Sequence, residues 1–201
     1  MKLLLIILFL SFTLTAETRK SYYPSGELKS EHSYHDGKIN GFVKHYRKSG
    51  RLFLSQEFIN DVQHGKATIF GKDGSYMVIP MVHGKMEGLQ KSFKKNHTLI
   101  ATLEFKNGKM HGEHILYSKP NIKLMVMHYK KGTIYKIELY SDDNSLRLVT
   151  LFDVNKKTLI DSYALNNVTK KRVLLSEEDK IEKFKNVNSK GFIDNILVPQ
   201  K

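Results

Sequence analysis

The sequence predicts an all-β chain: an elongated, open antiparallel meander of about six β-hairpin repeats, each 23–24 residues long, with a short C-terminal helical cap. Three observations carry this. Aromatic residues recur at Tyr23, Tyr46, Phe70, Phe93, Tyr117, Tyr140 and Tyr163, always 23 or 24 residues apart. A second register, Tyr34, Phe58, Met81, Phe105, Tyr129 and Phe152, keeps the same step. Glycines fall into three slots of that period, and between the slots apolar and polar residues alternate.

The first slot holds Gly26, Gly50 and Gly74, then His97, Asn121, Asn144 and Asn167. The second holds Gly37, Gly84, Gly108 and Gly132, with Asp61 and Asn155 elsewhere. Asn and Asp are the residues that best tolerate a left-handed backbone, so these two slots read as turn positions with positive φ. The third slot, Gly41, Gly65, Gly88 and Gly112, gives way to Lys136 and Leu159. That substitution pattern points instead to a small side chain needed for close backbone approach. Between turns, Leu99, Ala101, Leu103 and Phe105 alternate, as do Leu52, Leu54, Gln56 and Phe58, and Leu146, Leu148, Thr150 and Phe152. A period of two means strands, so each unit is a hairpin joined to the next by another turn.

The phrases Y-P-S-G-E-L-K-S-E-H-S-Y-H-D-G-K-I-N-G, Y-R-K-S-G-R-L and F-K-N-G-K-M-H-G-E-H-I-L-Y resemble the variant MORN repeat of bacterial proteins, including chains that carry the YwqK-type antitoxin label. The resemblance covers residues 22–117 and continues in degraded form to 163. It implies a meandering antiparallel sheet with a noncatalytic scaffolding or binding role.

In chain order, residues 1–16 read as a secretory signal peptide. Lys2 is a short basic start, residues 3–14 are mostly apolar, and Ala16 offers a cleavage position. The run falls short of the ~20 apolar residues of a membrane span, so the mature chain is expected to lack one, and to be periplasmic or extracellular. The alternative is an uncleaved anchor. The chain has no cysteine, which excludes disulfides and a lipid-modified cysteine. Residues 17–21 read as a linker, 22–163 as the repeat array, and 164–201 as a strand plus short helix. In that last segment Ser176 can cap a helix whose first turn is acidic, and Ile181 and Phe184 share one face. Its expected task is to cover the unpaired edge of the array. The two aromatic registers are expected to stripe one face of the sheet.

No catalytic constellation appears, and an enzyme is not expected. The nine histidines, among them His64, His83, His111 and His114, lack the convergent spacing of a zinc site, so no metal or other cofactor is expected. Asp36, Asp61 and Asp73 sit at turns, where backbone geometry favours them. Glu31, Glu57 and Glu104 repeat with the strands, which reads as surface patterning rather than a carboxylate pair for glycoside cleavage. The basic excess says more: the formal charge is +13, and +12 once the signal is removed. Lys38, Lys66, Lys85 and Lys109 each follow a slot glycine, and repetition would stack them into a basic row. Such a row attracts an acidic protein or an anionic envelope surface. Nucleic acid is disfavoured by the export signal and the lack of a recognition motif, and free strand edges would let copies of the chain pair. The expected function is an exported, noncatalytic scaffold that binds a protein or an anionic envelope partner. The alternative is an antitoxin or immunity protein that neutralises one toxin.

Overall fold

The computed structural model describes residues 16–153, Thr158–Leu165 and Arg172–Leu174; residues 1–15 of the expected signal peptide and the expected C-terminal helix lie outside them. The described residues are all-β, in open antiparallel sheet with meander order. They divide into two units, one ending at Lys85 and the other beginning at Met86.

The first unit contains β1 (Ala16–Tyr22), β2 (Leu28–His35), β3 (Lys38–Tyr46), β4 (Leu52–Ile59), β5 (Val62–Phe70) and β6 (Tyr76–Val82). Each strand pairs antiparallel with the next. The two-residue β7 (Lys85–Met86) spans the boundary. The second unit contains β8 (Gly88–Phe93), β9 (Leu99–Lys106), β10 (Lys109–Lys119), β11 (Ile122–Lys130), β12 (Thr133–Tyr140), β13 (Leu146–Asp153), β14 (Thr158–Leu165) and β15 (Arg172–Leu174). These too pair in chain order. Residues 17–21, expected as a linker, belong to β1 and pair with β2 from Ala16↔His35 onward, so the sheet starts earlier than the repeat signature does. The expected array boundary at 163 falls inside β14, and β15 lies within the stretch expected to form one more strand.

Two turn types alternate. In the first, Asp36-Gly37, Asn60-Asp61, His83-Gly84, Asn107-Gly108 and Lys131-Gly132 each connect strands through two residues, both with positive φ. That is the signature of the type I′ hairpin turn, whose twist matches that of the flanking strands. In the second, a three-residue loop such as Pro24-Ser25-Gly26 is closed at both ends. Gly26 N–H donates to the Tyr23 carbonyl at 2.9 Å, and Tyr23 N–H donates to Glu27 at 2.8 Å. Arg47–Arg51, Gly71–Ser75, Lys94–Thr98 and Ser141–Ser145 repeat this pattern. The last loop residue has positive φ whether it is Gly26, His97 or Asn144. This is a type I turn followed by a left-handed bulge residue, and it explains why Asn replaces glycine in the first slot.

The third slot combines close approach with a feature absent from the expectation. Gly41, Gly65, Gly88 and Gly112 also have positive φ. Gly41, Gly65 and Gly112 sit in bulges where three residues oppose one: residues 40–42 oppose Ser33, 64–66 oppose Glu57, and 111–113 oppose Glu104. A Cβ at Gly41 would lie 3.2 Å from the Ser33 Cβ, and one at Gly65 would lie 2.1 Å from Glu57 Oε2. The later loss of glycine follows from register. In β11–β12, Met127↔Ile137, His128↔Lys136 and Tyr129↔Ile134 leave only Tyr135 extra. The bulge is one residue shorter there, and Lys136 occupies an ordinary paired position.

The two aromatic registers lie on opposite faces, not on one. Phe58 shares parity with Gln56, which pairs with Val43 and Ala67. Phe70, three unshifted positions beyond Ala67, points the other way and pairs with Tyr76. In the second unit, Tyr129 joins the core cluster of Leu116, Met125 and Met127, against which Met110, Ile134, Ile137 and Leu139 pack. Tyr140 adjoins Leu139 and turns to the opposite face, where its hydroxyl reaches Glu138 Oε2 at 3.4 Å.

Successive repeats are bonded laterally at both ends. At the two-residue turns, Gly84 N–H donates to the Gln63 carbonyl, Gly108 to Met86 and Gly132 to Met110, at 2.8–2.9 Å. At the other turns, the Tyr23 hydroxyl donates to the Tyr46 carbonyl and Arg47 Nη2 to the Phe70 carbonyl, each at 2.8 Å. The Arg47 guanidinium also lies 5.1 Å from the Phe53 ring centroid.

Candidate binding face

Register fixes which side chains share a face in the first unit. Glu31 pairs with Lys44, which pairs with Ser55, which pairs with Thr68, which pairs with Val78. Counting in twos from this row, the same face carries Lys38 and Phe42 on β3, Ile59 on β4, Val62 and Lys66 on β5, and Val82 on β6. Ile59 pairs directly with Val62, and Lys38 with His35. Phe42 is 48% exposed, Ile59 50%, Val62 44% and Val82 38%, so the large apolar groups here are open rather than packed. Lys38, Lys66 and Lys85 are exposed among them.

The four predicted lysines do not form a single row. Lys38, Lys85 and Lys109 each occupy the first position after a two-residue turn, where Val62 stands in β5 and Thr133 in β12. Lys66 instead follows the bulge glycine Gly65, four residues farther from its turn, in the position Phe42 holds on β3. The first two strands of the pattern therefore exchange their residues: Lys38 then Phe42 on β3, Val62 then Lys66 on β5. The result on the face is an interleaving of charge and apolar surface. Lys109 lies in the second unit, paired with Lys106. None of the four lysines makes an ion pair with a described residue.

Toward β1 the face has a shallow depression of about 300 Å³, lined by Thr18, Lys20, Glu31, Ser33, Phe42 and Lys44. Its one carboxylate is engaged: Glu31 accepts the Tyr46 hydroxyl at 2.8 Å and lies 3.3 Å from Lys20 Nζ. The Tyr46 hydrogen bond, then Lys20, hold the Glu31 carboxyl below the usual range.

The other candidate groups are placed as follows. Asp61 accepts the Ile39 N–H, and Asp73 accepts both the N–H and the hydroxyl of Ser75, so these acids serve turns. Glu57 and Glu104 lean over the bulge glycines Gly65 and Gly112. His64 and His83 meet edge to face at 5.2 Å. Among the described residues, no group of three or more His, Asp or Glu is placed to hold a metal ion. No described helix is long and apolar enough to cross a membrane.

One cluster had no signal in the repeat pattern. In the second unit, His128 Nε2 lies 2.7 Å from Glu138 Oε2, while Lys136 Nζ donates to Glu138 Oε1 at 3.0 Å and Glu113 lies 3.8 Å from His128 Nδ1. Burial pushes the Glu138 carboxyl up, but His128 and Lys136 outweigh it and hold it below the ordinary value. Burial, then Glu138, pushes Tyr140 up to about 12. These groups satisfy one another across β10, β11 and β12. Their residue types depart from the repeat, and the pairing becomes visible only once register is known.

The chain matches no model of a known protein family, and no curated protein matches it.

Proposed function

We propose that this chain is an exported, noncatalytic repeat protein of the variant MORN kind, which binds an acidic protein or an anionic envelope surface through one sheet face. The observation that carries the reading is the interleaving of Lys38, Lys44 and Lys66 with the exposed Phe42, Ile59, Val62 and Val82 in the first unit. Exposed apolar groups supply contact area, at about 25 cal/mol per Å² removed from water. The lysines select against cationic partners and speed encounter with anionic ones. The repeat signature and the alternating turns support the family assignment, and the apolar start of the sequence supports export.

The test is capture from an envelope extract, with the wild-type chain compared with Lys38→Glu/Lys66→Glu and with Phe42→Ala/Val62→Ala. The expected result is a ligand bound by wild type and lost from both double variants. Retention of one protein at high salt would favour the antitoxin-like reading, because exposed charges are screened within about 10 Å at 0.1 M salt. Capture that both double variants retain would remove this face from the function.

A further inference from the structure

The second unit contains a buried group that neither the fold nor the binding face requires. His114 lies in β10 with 3% of its surface exposed, and its Nδ1 has no hydrogen-bond partner. Leaving such an atom unpaired forfeits its hydration without replacing it. The repeat does not call for a histidine: two residues past Gly41 stands Val43, two past Gly65 Ala67, two past Gly88 Gln90, and two past Gly112 His114. Val43 and Ala67 are buried apolar residues, so the position accepts an aliphatic side chain.

One of the two cross-strand neighbours of His114 is a soft donor. Met127 is directly opposite it on β11, and Leu103 is opposite it on β9. Met125 stands two residues from Met127 on the same face, opposite Leu116. Both methionines belong to the buried cluster, against which Met110 also packs. The Tyr129 hydroxyl donates to Met127 Sδ at 3.8 Å, and a thioether sulfur has a second lone pair besides the one that accepts. Burial pushes the His114 imidazole down to about 4, so it is neutral at physiological pH. A neutral imidazole is the form that ligates metals.

We propose that His114 Nδ1 and the thioethers of Met127 and Met125 form a binding site for a soft monovalent cation of the Cu(I) class. Thioether ligands select Cu(I) among biological metals, and imidazole suits the same ion. Every donor is uncharged and the surroundings are apolar, which favours a single positive charge over a double one. No carboxylate or thiolate belongs to the set to neutralise Zn²⁺, which is ordinarily held by four ligands of the Cys, His and carboxylate type. The site belongs to the second unit, and the proposal is independent of the function proposed for the face of the first unit.

The experiment is anaerobic titration of the full chain with Cu(I) against a chromogenic chelator, together with Ag⁺ as a redox-inert probe of thermal stability. Wild type is expected to withhold one equivalent of Cu(I) from the chelator, and Ag⁺ to raise its Tm, while Zn²⁺ leaves the Tm unchanged. His114→Val and Met127→Leu are each expected to weaken Cu(I) retention at least tenfold and to abolish the Ag⁺ shift, with circular dichroism like wild type. Should His114→Val fail to fold, Met127→Leu and Met125→Leu decide the matter, because both preserve volume. A wild type that withholds no Cu(I), or folded variants that retain it as well as wild type, would overturn the proposal.

Discussion

Asp61 and Ile39 bond each other twice across the repeat boundary. The Asp61 N–H donates to the Ile39 carbonyl at 2.9 Å, and the Asp61 carboxylate accepts the Ile39 N–H at 2.7 Å. The second slot thus does two jobs, turning the chain and fastening one hairpin to its neighbour. Glycine can do only the backbone half, as Gly84, Gly108 and Gly132 do. Asp61→Ala is therefore expected to lose about 1–2 kcal/mol, from the missing acceptor and from an Ala held at φ 65°. Asp61→Gly should lose less, because it relieves the backbone. Urea denaturation of the two variants gives the comparison.

The bulge glycines should be less replaceable than the turn glycines. A Cβ at Gly37 would meet nothing within 4 Å, so Gly37→Ala carries only the positive-φ penalty of about 1–2 kcal/mol. At Gly41, whose φ of 106° lies farther from the left-handed well than the 75° of Gly37, the φ penalty is joined by a contact at 3.2 Å with the Ser33 Cβ, an atom next to the backbone that cannot swing away. Gly41→Ala should therefore be the more destabilising of the pair. At Gly112 the obstructing atom is Glu104 Oε2, the far end of a flexible side chain, so Glu104→Ala should partly rescue Gly112→Ala. A double-mutant cycle measures that coupling.

His114 ties stability to pH. Its folded value of about 4 lies below the ordinary 6.5, so between these the unfolded chain binds the proton more readily. Its neutral form supports the fold fully above pH 6.5, and that support is lost as pH falls toward 4. The loss amounts to about 3 kcal/mol at one pKa unit per 1.36 kcal/mol. The stability of His114→Val should fall less over the same window, as measured by denaturation midpoints between pH 7 and 4.

The lysine face predicts a separation of stability from binding. Lys38→Glu and Lys66→Glu change exposed residues without an ion pair among the described residues, so stability should stay within about 0.5 kcal/mol. Binding of an anionic partner should fall in both, and the salt dependence of what remains should flatten. Calorimetric unfolding paired with a salt series of binding isotherms tests both halves.

Legibility in the sequence followed periodicity. The hairpins, the positive-φ character of the first two slots and the meander order all repeat, so each appears several times and can be read by alignment. Register does not announce itself in the same way. Only the pairing shows that the two aromatic registers lie on opposite faces and that third-slot glycines sit in bulges, with Lys66 just beyond one of them and out of the position held by Lys38, Lys85 and Lys109. The shortening of the bulge at Tyr135 was hidden for the same reason, since Lys136 and Gly112 align by number but not by pairing. β1 lacked the signature because Ala16–Tyr22 has no turn slot of its own; it is recognised only by its pairing with β2. The His128–Glu138 contact arises from residues on neighbouring strands that no repeat relates.

The nearest-neighbour pairing also sets how the chain finds its structure. Among the described pairings within the two units, Ala16 and His35 are the most distant partners, and from β1 to β13 no connection between strands exceeds five residues. Loop-closure entropy grows with the logarithm of loop length, so each closure is among the least demanding available to a β-protein. All-β domains fold slowly when their strands must await distant partners. Here each strand's partners arrive immediately before and after it, so folding can begin at any hairpin and spread in both directions. A chain emerging end first can therefore lay down sheet as it appears, without holding a strand open for a partner still to come.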